Sequence, residues 1–401
     1  MDLKSSHPYW PIKNGLVATY PPLENDEECD VLVLGGGITG AIFADRLTKE
    51  GFDVVVVDRR DIGHGSTSAS TAMLQYEIDT HLIDLLDMIG PEQAERAYRL
   101  SVDSLATLAQ LAAECPLDCG FTKKRSVYAA STEADVESLR REALARQRIG
   151  IEAEFVAGPE VRERYALPHP AAIVSAEAAT ADPYLFAHGL LKQAVRRGAR
   201  VYDRTEATKF DPAFLGRHEI ETDRGPKIRA DDIVFATGYE SQQYTGEKVC
   251  RFKSTYALVT QPLASVAPWN EHHLFWESAR PYLYFRTTDD RRLVAGGADL
   301  DFRSALKRDA LIERQTAHVF NGIKELFPQL APEIEYAWAG TFAETKDGLA
   351  YIGRPAALPH AYFALGFGGN GITYSTIAAD IVADQLKGRP NTDAEIFRFG
   401  R

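Results

Sequence analysis

Apolar positions recur along this chain with two spacings, and the fully apolar runs set the frame. Val31 to Leu34 is a short apolar run rich in β-branched residues, the pattern of a strand buried on both faces. Beyond the glycines that follow, Ala41, Ala44, Leu47 and Thr48 are spaced for one face of a helix, which Gly51 stops. Val54 to Val57 form a second buried strand ending at Asp58, and Asp232 to Gly238 reads as a third, ending in small residues. Helical periodicity predicts helices over Leu82 to Leu111, with Pro91 starting a second one after Gly90, over Ala134 to Ile149, and over Ala305 to Phe327, ended by Pro328. Asp182-Pro183 opens a helix from Tyr184 to Arg197: Asp at the cap, Pro at the first position, Gly198 past the end. Strands are expected at Ser126 to Ala130, from Val201, and in a hairpin of Arg217 to Thr222 and Lys227 to Ala230 around Asp223-Arg224-Gly225-Pro226. Phe252 to Ala298 is strand-like and aromatic, with Tyr256, Trp276, Tyr282, Tyr284 and Phe285. Before Cys29, four prolines and the acidic run Glu24 to Glu28 read as an extended arm with Tyr9 and Trp10 docked on the body.

The unit from Cys29 to Asp58 carries the first chemistry: strand, glycine turn, helix, strand, acid. Gly35 allows the tight turn, Gly37 lets backbone approach a pyrophosphate, and Gly40 lets helix and strand pack closely. The helix N-terminus offers unpaired N–H groups and a positive dipole end to phosphate. Asp58 lies eighteen residues beyond Gly40, placed to accept hydrogen bonds from ribose hydroxyls. A glycine-rich turn in an ordinary βαβ unit is the competing reading; the acid at the second strand favours a dinucleotide. The segment after Asp58 is rich in small and hydroxyl residues through Met73, either a solvated loop or a backbone suited to lie along a phosphate and a flat ring. Near the C-terminus, Tyr362 to Thr373 is again strand then glycine turn, leading into a helix from Ser375 to Leu386 whose dipole can face a second electron-rich group.

Composition narrows the partners. With 401 residues, 45% hydrophobic and 25% charged, the chain is long enough for two domains with sizeable cores. A formal net charge of −12 argues against nucleic acid or an anionic membrane as main partner. No window approaches a transmembrane length, and the first residues lack the apolar core of a secretory signal. The four cysteines form no CxxC pair, which favours a reducing cytoplasm, buried thiols at Cys115 and Cys119, and no metal site.

Four ordered motifs, namely GGGITG with Asp58, Phe235-Ala236-Thr237-Gly238, the KDGLAYIG stretch from Lys346, and GFGGNGIT from Gly366, make the chain resemble the D-amino-acid oxidase superfamily. That group includes glycine oxidase, monomeric sarcosine oxidase and γ-glutamylputrescine oxidase, and the arm with Tyr9-Trp10 looks like the last of these branches. The resemblance implies an α/β chain, α+β overall, in which a Rossmann-like FAD-binding domain is interleaved with a substrate domain of antiparallel sheet plus helices. The implied division is an arm over 1–27, a discontinuous FAD domain over 28–90, 168–250 and 336–401, and a substrate domain over 91–167 and 251–335. It further implies that Gly35, Gly37, Ile38, Thr39 and Gly40 hold the pyrophosphate, Asp58 the adenosine ribose, and Arg59 or Arg60 the adenine edge. Ser66 and Thr67 would contact phosphate or ribitol, and Ser70, Thr71, Ala72 and Met73 would pass beside the isoalloxazine. Thr237 and Gly238 would cover the adenosine side, while Gly340 also belongs to the cofactor set. Gly368, Gly369, Asn370, Gly371, Ile372 and Thr373 would set backbone N–H groups near the flavin N1/O2 edge. The implied reaction is oxidation of a C–N bond in an amine or secondary amino acid by hydride transfer to flavin N5. The resulting imine is hydrolysed, and electrons pass on to oxygen or to another acceptor such as a quinone or carrier protein. A non-catalytic protein using the same fold as a binding module is the competing class.

Two departures from the resemblance shape the candidate substrate site. Glycine oxidase carries an Arg where Phe342 stands and another where Gly369 stands, so the usual carboxylate clamp is missing. The remaining candidate cations are Arg286 and Lys346. Tyr76, Tyr256, Tyr282, Tyr284 and Phe342 are candidates for an apolar cage, Gln75 for a polar contact, and Glu77 reads as a solvated or paired acid. No Cys stands at Ala343 to Thr345, and Ala69 stands where a related branch uses His for a flavin link, so FAD is expected to be non-covalent. Flavin that pellets with acid-precipitated protein would contradict this. His272 and His273 read as surface histidines.

Overall fold

The computed structural model describes every residue except Met1, Ser6, 212–216, Glu271, Ala357 and Pro359. Two sheets organise the chain. The eight-stranded sheet has a parallel centre in which Glu27–Leu34 lies between Val54–Val57 and Lys227–Phe235, flanked by Arg200–Tyr202 and Ala361–Leu365. Val31, Leu32, Val33 and all four valines at 54–57 are buried, as expected of strands covered on both faces. The helix Ile38–Lys49 crosses from the first strand to the second and packs between Pro183–Arg196 and Gly371–Leu386.

The second, nine-stranded sheet is largely antiparallel. Ile334–Glu344, Arg251–Thr260, Leu293–Asp301, Tyr284–Thr287 and His273–Glu277 follow one another across it. His273–Glu277 then pairs in parallel with Thr122–Ala129, which joins Ala171–Thr180 and Met73–Gln75. These two layers match the expected mixed class. Met73–Gln75, Ala171–Thr180 and most of Ile334–Glu344, placed with the FAD segments by the sequence division, are strands of the second sheet.

Several elements differ from their local reading for visible reasons. The second hairpin strand and the third buried strand are one strand, Lys227–Phe235, paired first to His218–Thr222 and then to Glu27–Leu34. The helix expected over Ala305 to Phe327 is broken into Ala305–Asp309 and Ile312–Leu326. Arg308, 1% exposed, sits at the break, donating to the Asp2 carbonyl and the Thr341 hydroxyl while its own carbonyl accepts from Tyr256. The arm is partly helical, Tyr9–Asn14, with Tyr9 and Trp10 buried. The Asp182 cap forms as read, accepting from the N–H groups of Tyr184 and Leu185. His273 is buried at the start of its strand, not on the surface, and burial lowers its pKa to about 4.

Candidate functional site

A long cavity runs between the two sheets, and its first section is built by the glycine turn. Gly35 has φ +108°, and a Cβ there would meet the Ala236 carbonyl oxygen at 2.4 Å. A Cβ on Gly40 would lie 1.8 Å from the Gly35 carbonyl oxygen, so glycine is what lets the helix sit against the turn. Gly40 therefore works from behind, whereas Gly35, Gly37, Ile38 and Thr39 line the cavity. Asp58 accepts from the N–H of Gly36 and of Arg60, both at 2.8 Å, which fixes its carboxylate at the end of the second strand. Two further lone-pair sites remain for hydroxyl donors. Burial raises its pKa, opposed by those two N–H groups. Arg59 and Arg60 line the same end and both pair with Glu240, at 2.6 and 3.7 Å.

The loop after Asp58 folds back along the cavity. Ser66 begins a short helix, Ser66–Ala69; Thr67 accepts from the Ile38 N–H at 2.8 Å. The Ser66 hydroxyl is buried without a protein partner, the state expected of a group that awaits a ligand oxygen. Three successive carbonyls of this loop are each held by a donor from elsewhere: Ala69 by the Trp338 indole at 2.9 Å, Ser70 by the Trp10 indole at 2.7 Å, and Thr71 by Arg286 at 2.7 Å. Ser70, Thr71, Ala72 and Met73 then line the cavity, with Thr237, Gly238 and Gly340.

The C-terminal turn also faces the cavity. Gly368, Gly369, Asn370, Gly371, Ile372 and Thr373 all line it, and the helix Gly371–Leu386 points its N-terminus there. Asn370 donates to the Glu77 carbonyl at 2.6 Å, Thr373 to the Gln75 carbonyl at 3.0 Å, and the Gly369 N–H to Asp79 at 3.2 Å. This turn thus fixes the strand exit at 75–79 as well as facing the cavity.

Beyond the turn, Gln75, Tyr282, Tyr284 and Phe342 line the cavity together with Trp276 and Phe367. Trp276 stacks on Tyr128 at 3.8 Å and donates to Ser126, which also accepts from Gln75. Tyr76 and Tyr256, expected in the cage, are core residues outside the lining; their hydroxyls are engaged with Ser175 and with the Arg308 carbonyl. The two candidate cations are also elsewhere. Arg286 lies 3% exposed behind the loop, bonded to the carbonyls of Thr71 and Ala181 and set over the Trp10 ring. Lys346 is exposed and donates to the Arg401 carbonyl.

What the sequence missed is acidic. Glu77, read as solvated or paired, is buried, lines the cavity, and has no hydrogen-bond partner on either carboxylate oxygen. Asp79 and Asp299 line the same end. Burial raises the Asp299 pKa to about 6, with Glu344 and Asp79 adding to the rise and Thr255 and Lys253 opposing it. No single run carries this signal, since the acids come from two distant segments. The folded carboxyl keeps its proton to higher pH than an unfolded one, so its contribution to stability falls as pH rises from about 4 through 6. Asp299→Asn should therefore stabilise the protein, by about 1 kcal/mol more at pH 7.5 than at pH 5. Urea unfolding at both values checks this, and a pH-independent difference contradicts it.

A glycine-turned βαβ unit, a hydroxyl loop and a second helix N-terminus along one cavity define a flavin-nucleotide-binding oxidoreductase. The chain belongs to the family of FAD-dependent oxidoreductases: the DAO family model, described as FAD dependent oxidoreductase, matches residues 30–385. It is similar to the putative Rieske 2Fe-2S iron-sulfur protein YhfW of Bacillus subtilis, 24% identical over 398 residues, 98% of this chain and 75% of that protein. It is also similar to γ-glutamylputrescine oxidoreductase of Escherichia coli, 25% identical over 410 residues, 97% of this chain and 90% of that one. Among solved structures it resembles glycine oxidase from Geobacillus kaustophilus, with TM-score 0.77 and 20% identity over 94% of this chain and 99% of that chain. The protein is an enzyme, and its cofactor is FAD, held non-covalently; among the described residues no Cys or His lines the cavity. No helix is long and apolar enough to cross a membrane, and no His, Cys, Asp and Glu group could hold a metal, among the described residues.

Proposed function

We propose that the protein oxidises a C–N bond of an amine or a secondary amino acid. The observation that carries this reading is the ring end of the cavity: aromatic walls at Trp276, Tyr282, Tyr284 and Phe342, directly beside the glycine turn at Gly368 to Thr373. Bound FAD supplies the hydride acceptor. The chain's own residues do the rest. The aromatic faces hold an apolar or methylated amine and exclude water from the reacting carbon. The N–H groups of the turn are fixed donors for negative charge that develops at the ring edge. The nitrogen lone pair of a neutral amine forms the C=N bond as the α-hydrogen leaves with its electron pair, and water then hydrolyses the imine. The proposed roles of Tyr282, Tyr284, Gln75 and Phe342 are to shape and orient this pocket. Arg286 is proposed as a positioning residue for the loop, and Lys346 receives no role.

Anaerobic mixing of the holoenzyme with a panel of primary, secondary and N-methylated amines tests the reading. Bleaching of the flavin absorbance by some of them is the expected result, whereas a yellow protein that none of them bleaches overturns it. A second reading concerns only the electron acceptor. The Bacillus subtilis relative is named as an iron-sulfur protein, which supports a carrier as acceptor, whereas relatives named as glycine oxidases support oxygen. Oxygen consumption during turnover separates the two.

A further inference from the structure

The substrate end of the cavity holds more negative charge than the protein neutralises. Glu77 is 3% exposed and lines the cavity, and neither of its carboxylate oxygens has a hydrogen-bond partner. The guanidinium behind it belongs to Arg146, which is committed to Glu142 at 2.7 Å and to the Tyr76 hydroxyl at 3.3 Å. With Glu77 ionised, Glu142, Arg146 and Glu77 together carry one surplus negative charge, and burial opposes that ionisation in the absence of a cation. Asp299 repeats the pattern on the strand Leu293–Asp301. Its Oδ1 is buried and unpartnered, and Lys253 nearby is shared between Asp301 at 2.9 Å and Glu344 at 3.7 Å. Among the described residues, the basic side chains that line the cavity are Arg59 and Arg60, both at the adenosine end and both paired with Glu240.

A carboxylate taken out of water without a partner is costly unless it is protonated or meets a cation. An ammonium group supplies three donors for the empty oxygens, and the faces of Trp276, Tyr282 and Tyr284 add cation–π attraction. A substrate carboxylate meets the opposite situation: like charge on the walls, with Phe342 and Gly369 offering it no counter-ion. We propose that this end of the cavity selects an aliphatic diamine or polyamine, with a protonated nitrogen held by Glu77 and Asp299 in addition to the neutral nitrogen that is oxidised. The inference rests on the amine-oxidation reading and narrows its substrate class to amines without a carboxylate.

The test uses the holoenzyme and three probes of equal chain length: pentylamine, α,ω-diaminopentane and ω-aminopentanoate. Anaerobic bleaching gives kcat/KM, and the shift of the bound flavin's absorbance before bleaching gives affinity separately. Diaminopentane is expected to exceed pentylamine by about 100-fold in kcat/KM, as a buried, hydrogen-bonded charge pair provides, and aminopentanoate to fall below pentylamine. In Glu77→Gln the diamine-to-monoamine ratio is expected to drop at least about tenfold. Loss of fold or of flavin would lower both rates together and leave the ratio intact, so equal slowing of the two amines overturns the assignment of Glu77. Equal rates for the three probes, or preference for aminopentanoate, overturn the second-cation inference while amine oxidation stands. Absence of both bleaching and spectral shift with every amine overturns both.

Discussion

Gly40→Ala is expected to yield a protein that purifies without flavin colour. The added methyl would lie 1.8 Å from the Gly35 carbonyl oxygen, a backbone atom that cannot rotate away. The helix Ile38–Lys49 must then lift off the strand Glu27–Leu34, yet its buried face, with Ala41, Phe43, Ala44 and Leu47 all at 0% exposure, is locked into the core. Overpacking of this kind costs about 1–3 kcal/mol or more, and the strain falls on the turn whose N–H groups are proposed to approach the pyrophosphate. A displacement of about 1 Å there is enough to lose those contacts, so FAD affinity should fall by about 100-fold or more. The flavin-to-protein absorbance ratio, followed by reconstitution with added FAD, measures it. Stoichiometric flavin at wild-type affinity would show that the close approach at Gly40 is not what holds the turn.

The second large effect is expected from Arg286→Met. Arg286 reads in the sequence as a candidate for substrate, but it holds the Thr71 carbonyl at 2.7 Å and the Ala181 carbonyl at 3.0 Å from behind the loop. Burial lowers its pKa to about 10, so it remains charged at neutral pH. Removing it leaves two carbonyls without their donor and takes the cation from the Trp10 face, against which the relief of a buried charge must be set. A net loss of roughly 2–4 kcal/mol follows, concentrated in the loop Ser66 to Met73. Weaker FAD binding and a lower melting temperature are both expected. Arg286→Lys should not restore them, because one ammonium cannot span both carbonyls with the fork of a guanidinium. Full FAD affinity in Arg286→Met would remove this residue from the support of the loop.

These two residues show what a local reading can and cannot reach. Gly40 is legible because its partner, Gly35, is five residues away in one strand–turn–helix unit whose pattern repeats in many proteins. Arg286 is not, because the carbonyl it holds lies 215 residues away, and its polar side chain on an aromatic strand looks the same in a pocket as in a core. Glu77 is the sharper case. An acid beside Gln75 and Tyr76 reads as solvated or paired, and only its burial beside Arg146 in the assembled fold removes the water.

The sequence by itself determined the elements proposed to hold the cofactor: the strands, the glycine turns, Asp58 and the hydroxyl loop, because each is a contiguous segment whose backbone conformation requires its residues. Tertiary structure alone decided the proposed substrate end. Phe342, Tyr282, Trp276, Glu77 and Asp299 come from separated strands of one sheet or its exits, and their charge balance exists only once burial has stripped away solvent and left both carboxylate oxygens of Glu77 and one of Asp299 without partners. Desolvation of an isolated polar residue is a property of the assembled fold, so no apolar run announces it at Glu77 or Asp299.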